Sequence, residues 1–198
     1  MMQRDACFRA LKKVRGDAVI VSRYSAAFDW GPIDPSPLNY FGIGAMGQCS
    51  SYALGMALGM PSHKVIVLDG DGSLLMNLGS LVTIANVAPP NLFHFVCENG
   101  VYEVNGSHPI PGQGRVRFAD FARGAGYPHV FEFDDLTTFD AEIGKVLALR
   151  GPVFATLKLV AANAEEVDFS KLNSADARRQ FKDAIKPFLE AGRTTPVA

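Results

Sequence analysis

The sequence predicts an α/β fold, a parallel sheet with helices on both faces, from three observations. Short apolar runs rich in β-branched residues alternate with longer segments of helical periodicity along the 198 residues. The runs VIVL at 65–68 and LFHFVC at 92–97 are near-continuously apolar, as strands covered on both faces are. Glycine-rich turns near Gly44, Asp71 and Asn99 follow the apolar runs, and in open parallel sheets the carboxyl ends of strands are where ligands bind.

Taken in order, residues 4–14 read as a helix, because Ala6, Phe8, Leu11 and Val14 recur at roughly helical spacing. Residues 18–22 (AVIVS) read as a short buried strand. Residues 24–38 carry four prolines or glycines besides Phe28 and Trp30 and read as a loop. Tyr40 and Phe41 lead into GIGAMG, and 48–60 reads as a helix of small residues. A strand at 64–68 precedes a helix over 74–87, which Pro89 and Pro90 end. A strand at 92–97 then opens into a Gly- and Pro-rich loop over 101–116. Helix 118–125, strand 129–133, helix 136–149 and strand 153–160 complete the alternation. After a polar segment, a helix over 175–191 carries Phe181, Ile185, Phe188 and Leu189 along one side, and the tail GRTTPVA is expected to be loose. One domain is expected over 1–198.

Composition narrows the function. Hydrophobic residues make up 48%, enough for a sizeable core. The formal charge of −1 and the lack of basic runs argue against a nucleic-acid partner. No apolar run approaches the roughly 20 residues that span a bilayer, so no membrane role is expected. Cys7, Cys49 and Cys97 are odd in number and widely spaced, with neither metal-site nor disulfide spacing, and read as packed thiols. The N-terminus is amphipathic and unlike a signal peptide, so a cytoplasmic protein is expected.

The chemistry concentrates at Gly70-Asp71-Gly72-Ser73. Glycines let the backbone approach a ligand, and a helix opened by Ser73 presents N–H groups to an anion such as phosphate. Asp71 would repel a phosphate unless a cation lay between them, which points to Mg²⁺, an ion that prefers oxygen ligands and bridges carboxylates to phosphates. The next strand ends at Glu98-Asn99-Gly100-Val101-Tyr102, where the Asn99 amide oxygen and the Val101 carbonyl could join the same metal.

GDG, then 26 residues, then Asn, running from Gly70 to Asn99, resembles the thiamine-diphosphate signature of the thiamine-diphosphate-dependent enzymes. The resemblance covers most of 18–160 and implies the thiamine-diphosphate-binding fold, as the diphosphate-binding (PP) type of domain. GAMGQCSSYALGMAL and DGDGSLLMNLGSLVTIAN look especially like the sulfopyruvate and phosphonopyruvate decarboxylase branch, where a short β chain is a separate polypeptide. The resemblance implies thiamine diphosphate and Mg²⁺ as cofactors, with Asp71, Asn99 and the Val101 carbonyl as metal ligands. It implies that Gly70, Gly72 and Ser73 lie at the diphosphate and that Tyr102 packs over it. It places Met46 as an apolar wedge beneath the cofactor, with Ala45 beside it and the Gly44 carbonyl accepting from the cofactor's amine. The family's pyrimidine (PYR) domain, whose glutamate activates the cofactor, has no counterpart in these residues. That implies a partner α chain supplying the glutamate, in an α₂β₂ assembly acting on a small anionic 2-oxo acid.

Some residues stay open between readings. The loop 22–30 departs from the Ser-Arg-Glu type of the branch, and so does the stretch after Tyr102, so both bear on the substrate. Glu103 and His108 are candidate catalytic residues, His108 for protonating the reaction intermediate. Arg23 reads either as a bidentate binder of a substrate anion or as a surface ion pair. His94, inside an apolar strand, reads as a satisfied core residue, and Trp30 as a core anchor or a partner contact. Gly42-x-Gly44-x-x-Gly47 with a later Asp69 also fits a dinucleotide-binding fingerprint, which leaves GDGS and Asn99 unexplained. Three more functions are compatible with the cofactor motif: a carboligase of the acetolactate-synthase type, an oxidoreductase on the same cofactor, and a non-catalytic cofactor-binding subunit.

Overall fold

A computed structural model of the chain describes residues 1–42, 44–162 and 174–193. The expected polar segment before the last helix and the end of the GRTTPVA tail lie largely outside the described residues. Six parallel strands form the main sheet: β1 (Val19–Arg23), β2 (Asn39–Gly42), β3 (Val65–Gly70), β4 (Leu92–Glu98), β7 (His129–Phe133) and β8 (Val153–Lys158). Their spatial order is β2-β1-β3-β4-β8-β7. Strand order therefore reverses between β1 and β3, which opens a crevice at their carboxyl ends.

β1 is buried at every position and β3 at all but its last, which explains their unbroken apolar sequence. On one face, α1 (Arg4–Val14), α2 (Tyr24–Ile33) and α7 (Leu136–Ala148) cover Ile20, Ile66, Phe93 and Phe95. On the other, α3 (Cys49–Gly59), α5 (Gly79–Val87), α6 (Phe118–Ala125) and α8 (Ala175–Arg193) cover Val21, Val67, Val96 and Phe154. The apolar stripe of α8 docks on this same chain, with the Phe181 ring 5.3 Å from that of Tyr40.

Three local readings are corrected. The stretch expected to be a loop is mostly α2, with Pro32 in its last turn. Pro32 removes one i→i−4 bond near the end of the helix, and the burial of Ala26, Ala27 and Trp30 offsets that loss and the low propensity. Trp30 is a core anchor: it is fully buried, edge-on to Phe8 at 5.6 Å, and its Nε1 donates to Asn39 Oδ1 at 3.1 Å. Asn39 then starts β2, a strand the sequence did not reveal. The expected helix over 74–87 is two, α4 (Asp71–Leu75) and α5. Between them the bonds tighten to i→i+3, as in Met76 N to Ser73 O at 3.1 Å and Asn77 N to Leu74 O at 3.0 Å. The expected loop after Val101 holds a small antiparallel hairpin, β5 (Val101–Tyr102) with β6 (His108–Pro109). Cys7, Cys49 and Cys97 are buried free thiols. Among the described residues no helix is long and apolar enough to cross a membrane.

Candidate functional site

A cleft lies at the carboxyl ends of β1, β3 and β4, at the reversal of strand order. Arg23 and Tyr24 come from the end of β1, Gly70 to Ser73 from the end of β3, and Asn99, Val101 and Tyr102 from beyond β4. The topology thus brings into one wall two segments 26 residues apart in sequence.

Asp71 opens α4 and is 2% exposed. Its Oδ1 accepts from Gly72 N and its Oδ2 from Gly100 N, each at 2.7 Å. The second bond ties the end of β3 to the turn after β4, where Gly100 takes φ +79. Burial pushes the Asp71 carboxyl up to about 6, against the opposing pull of the Gly100 and Gly72 N–H groups. Asn99 Oδ1 accepts from Val101 N at 3.0 Å, which points that amide oxygen back over the turn. Among the described residues no three His, Cys, Asp or Glu side chains stand close enough to share a metal. A metal here would be held by one carboxylate and neutral oxygens, each oxygen keeping a lone pair beyond the N–H it already accepts. That oxygen-only donor set with a single charge fits Mg²⁺, which keeps waters and takes phosphate oxygens as well.

The glycines of the motif have distinct physical reasons. A Cβ on Gly72 would lie 2.3 Å from Tyr102 Cε1 and 3.0 Å from Ile110 Cγ2, so the Tyr102 ring rests directly on this backbone. Gly70 is open, with nothing nearer than Ser73 Cβ at 3.9 Å. Gly44 and Gly47 take φ +124 and +81. The turn between them is tied down by α4 and the residues after it: Ser73 Oγ accepts from Gly47 N at 3.0 Å, and Asn77 Nδ2 donates to Gly47 O at 2.9 Å. Met46 lines the cleft, whereas Ala45 and Gly44 are exposed beside it. The Gly44 carbonyl accepts from the Tyr24 hydroxyl, and the Ala45 carbonyl from Arg23 Nη1 at 2.7 Å.

The two candidate catalytic residues differ sharply in setting. Glu103 is 5% exposed in the cleft wall. Its Oε2 accepts from Arg4 Nη1 at 2.7 Å and its Oε1 from Ala162 N at 2.9 Å. Burial alone would raise its pKa, but Arg4 and the hydrogen bonds outweigh burial and hold the carboxyl below its usual range. It is therefore a fixed anion at neutral pH and holds no proton to give. His108 is exposed on β6, opposite Tyr102, at the rim and not in the wall. Arg4 and Tyr24, which also line the cleft, carried no signal in the sequence: Arg4 lies in an amphipathic helix, 99 residues from its partner Glu103.

Asp69, the acid of the dinucleotide fingerprint, is 2% exposed and its Oδ1 accepts from Gly70 N at 2.9 Å. It faces His94 Nε2 at 3.4 Å, and it also lines the cleft. His94 is fully buried as expected, yet neither ring nitrogen has a hydrogen-bond partner among the described residues, so it is not the satisfied core residue its sequence suggested.

Comparison with known proteins gives a consistent picture. The family described as "Thiamine pyrophosphate enzyme, C-terminal TPP binding domain" matches residues 20–156. The chain is 32% identical over 190 residues to a phosphonopyruvate decarboxylase of Streptomyces viridochromogenes, covering 96% of this chain and 47% of that protein. It thus spans about half the length of that relative. It is 38% identical over 133 residues to the sulfopyruvate decarboxylase subunit beta of Methanothermobacter thermautotrophicus, covering 67% of this chain and 68% of that one. In fold it matches a thiamine diphosphate-dependent 4-hydroxybenzoylformate decarboxylase of Rhodococcus jostii RHA1, with a TM-score of 0.70 at 22% identity over 81% of this chain and 33% of the other.

Proposed function

The chain belongs to the thiamine pyrophosphate enzymes, as their C-terminal TPP-binding domain, and from that premise we propose that it is the β-type subunit of a Mg²⁺-dependent decarboxylase of an anionic 2-oxo acid. The observation that carries this reading is Asp71, a buried carboxylate at a strand end fixed by the N–H groups of Gly72 and of Gly100, the latter in the same turn as Asn99 and Val101. When bound, thiamine diphosphate supplies the electron sink that 2-oxo acid decarboxylation requires.

The residues of this chain then have separable tasks. Asp71, Asn99 and the Val101 carbonyl would hold Mg²⁺. The backbone of Gly70 and Gly72, with Ser73 and Tyr102, would border the diphosphate. Met46, which lines the cleft, would give the cofactor an apolar contact, with Ala45 beside it and the Gly44 carbonyl as acceptor for the cofactor's amine. Glu103 fixes Arg4 and the wall as a permanent anion, which leaves His108 as the group able to carry a proton to the product at the rim. A partner chain with a PYR domain supplies the activating glutamate, in an α₂β₂ assembly. The relative named as a subunit beta supports the division into two chains.

The test is purification of the tagged chain from its own host. A second polypeptide in equal amount, with thiamine diphosphate in an acid extract and CO₂ released from 2-oxo acids, is the expected result. Acetolactate-type products without an aldehyde would reassign the reaction to carboligation. A chain that comes alone and binds neither added cofactor nor Mg²⁺ would refute the reading, and so would retention of the cofactor unchanged in Asp71→Ala.

A further inference from the structure

Two buried contacts grip the chain that follows β4, one near each end of the stretch from Asn99 to Glu103. At the near end, Gly100 N donates to Asp71 Oδ2 at 2.7 Å. At the far end, Glu103 takes Arg4 Nη1 at 2.7 Å on one oxygen and Ala162 N at 2.9 Å on the other. Between the two grips lie Val101 and Tyr102, which are the whole of β5 and pair with the two residues of β6. A ladder this short does not fix its own conformation in water. The glycines that bracket it, Gly100 and Gly106, take φ +79 and +83 and add no stiffness. The placement of the Val101 carbonyl therefore depends on what holds the ends.

The seat of Glu103 is itself firmly built. Met2 N donates to the Lys158 carbonyl at 2.8 Å, and the Met2 carbonyl accepts from Val160 N at 2.9 Å, so the first residues run beside the end of β8. Arg4 follows Met2 closely and opens α1, and Ala162 follows Val160 closely. Both donors to Glu103 thus emerge from one small pairing of strands. Asp29 of α2 steadies the Arg4 guanidinium through Nε. The glutamate docks on segments 99 and 59 residues away, at the wall of the cleft. Stability alone accounts poorly for such a pair, because apolar side chains of the same volume often serve a fold as well as a buried ion pair does.

We propose that Glu103 and Arg4 are positioning residues, whose pair clamps the far end of the turn after β4 and so presets Asn99 and the Val101 carbonyl for the metal at Asp71. The inference rests on the Mg²⁺ reading and goes beyond it, giving the glutamate of the cleft wall a task other than proton transfer. Mg²⁺ demands near-ideal octahedral geometry, so a turn that must first be ordered binds it less tightly.

The test uses the intact complex, stripped of metal and given excess thiamine diphosphate, and reads cofactor retention after gel filtration against Mg²⁺ concentration. Glu103→Ala and Arg4→Met are each expected to raise the half-saturating Mg²⁺ concentration at least about tenfold, the penalty for ordering a loosened turn on binding. The double variant is expected within about threefold of the worse single one, since partners in one contact are not additive. Hydrogen exchange over 99–103 is expected to quicken in both single variants, with that of β3 unchanged. Arg15→Met is the control for lost stability: it removes another buried arginine, whose bonds go to Asp34, Ser36 and Asn39. Its half-saturating Mg²⁺ concentration is expected within about twofold of wild type. If Glu103→Ala fails to fold, Glu103→Gln keeps the volume and one acceptor oxygen, and a rise of at least about threefold is expected. A value within about twofold of wild type in Arg4→Met or in the folded Glu103 variant overturns the proposal. So does an equal rise in Arg15→Met, which would make lost stability the cause, or unchanged exchange over 99–103. Wild type whose cofactor retention ignores Mg²⁺ altogether refutes the metal reading itself, an outcome distinct from the others.

Discussion

Asp71 allows a quantitative test of the metal assignment that needs no substrate. Its carboxyl is raised from 3.8 to about 6, chiefly by burial. The native state without metal therefore binds more protons than the unfolded state between these two values. Stability with respect to Asp71 then falls as pH rises through that window, the reverse of the usual ion-paired carboxylate. At about 1.36 kcal/mol per pH unit, the gap amounts to about 3 kcal/mol once both states are ionised. The assay is urea denaturation from pH 4 to 7.5 in EDTA, comparing wild type with Asp71→Ala, so that other groups cancel in the difference. The wild-type deficit is expected to grow from pH 4 to about 6 and then level off. Saturating Mg²⁺ should remove most of it above pH 6 and little of it below, where the proton competes with the metal. A difference that stays flat, or that favours wild type increasingly as pH rises without Mg²⁺, would refute the argument that burial dominates this carboxylate.

Three further outcomes follow from the contacts. Gly72→Ala drives a methyl into the Tyr102 ring and should cost about 1–3 kcal/mol in denaturant titrations, with Tyr102→Leu in the same chain restoring most of it; a neutral Gly72→Ala would mean that the ring does not rest there. Tyr24→Phe removes the hydroxyl that donates to the Gly44 carbonyl and should tighten thiamine diphosphate binding up to about tenfold by fluorescence titration, since a net hydrogen bond is worth about 1 kcal/mol; weaker binding would show that this carbonyl is not the cofactor's acceptor. Glu103→Ala leaves Arg4 with Asp29 alone and should cost about 3 kcal/mol at pH 7, with the loss shrinking as pH falls below the ordinary carboxylate range because the wild-type anion is itself then protonated; an equal loss at every pH would show that the Arg4 pair is not what the glutamate contributes.

Legibility in the sequence followed the range of the forces involved. That Gly70 to Ser73 and Asn99 meet at one cleft was legible because glycines and a short acid directly after an apolar strand mark a turn at its carboxyl end, whatever the rest of the chain does. The helices at 4–14 and 118–125 and the strand at 129–133 agreed residue for residue, since each carries its own periodicity and punctuation. By contrast, α2 holds Gly31 and Pro32 and reads as a loop until the burial of Trp30 against Phe8 and its bond to Asn39 are known. β2 has two half-buried residues of four and no alternation to betray it, and it forms because β1 offers an edge. The roles of the charged residues were the least legible. Arg4 and Glu103 are 99 positions apart, and each is unremarkable until the hairpin after β4 returns to α1. For Arg23 the informative fact is the lack of a carboxylate within 4.0 Å among the described residues, and no local sequence records such a lack. The glycine-rich turns are thus specified by short-range rules, whereas the pairing of buried charges depends on which distant segments the tertiary fold brings together, and for that reason no local stretch of sequence reveals it.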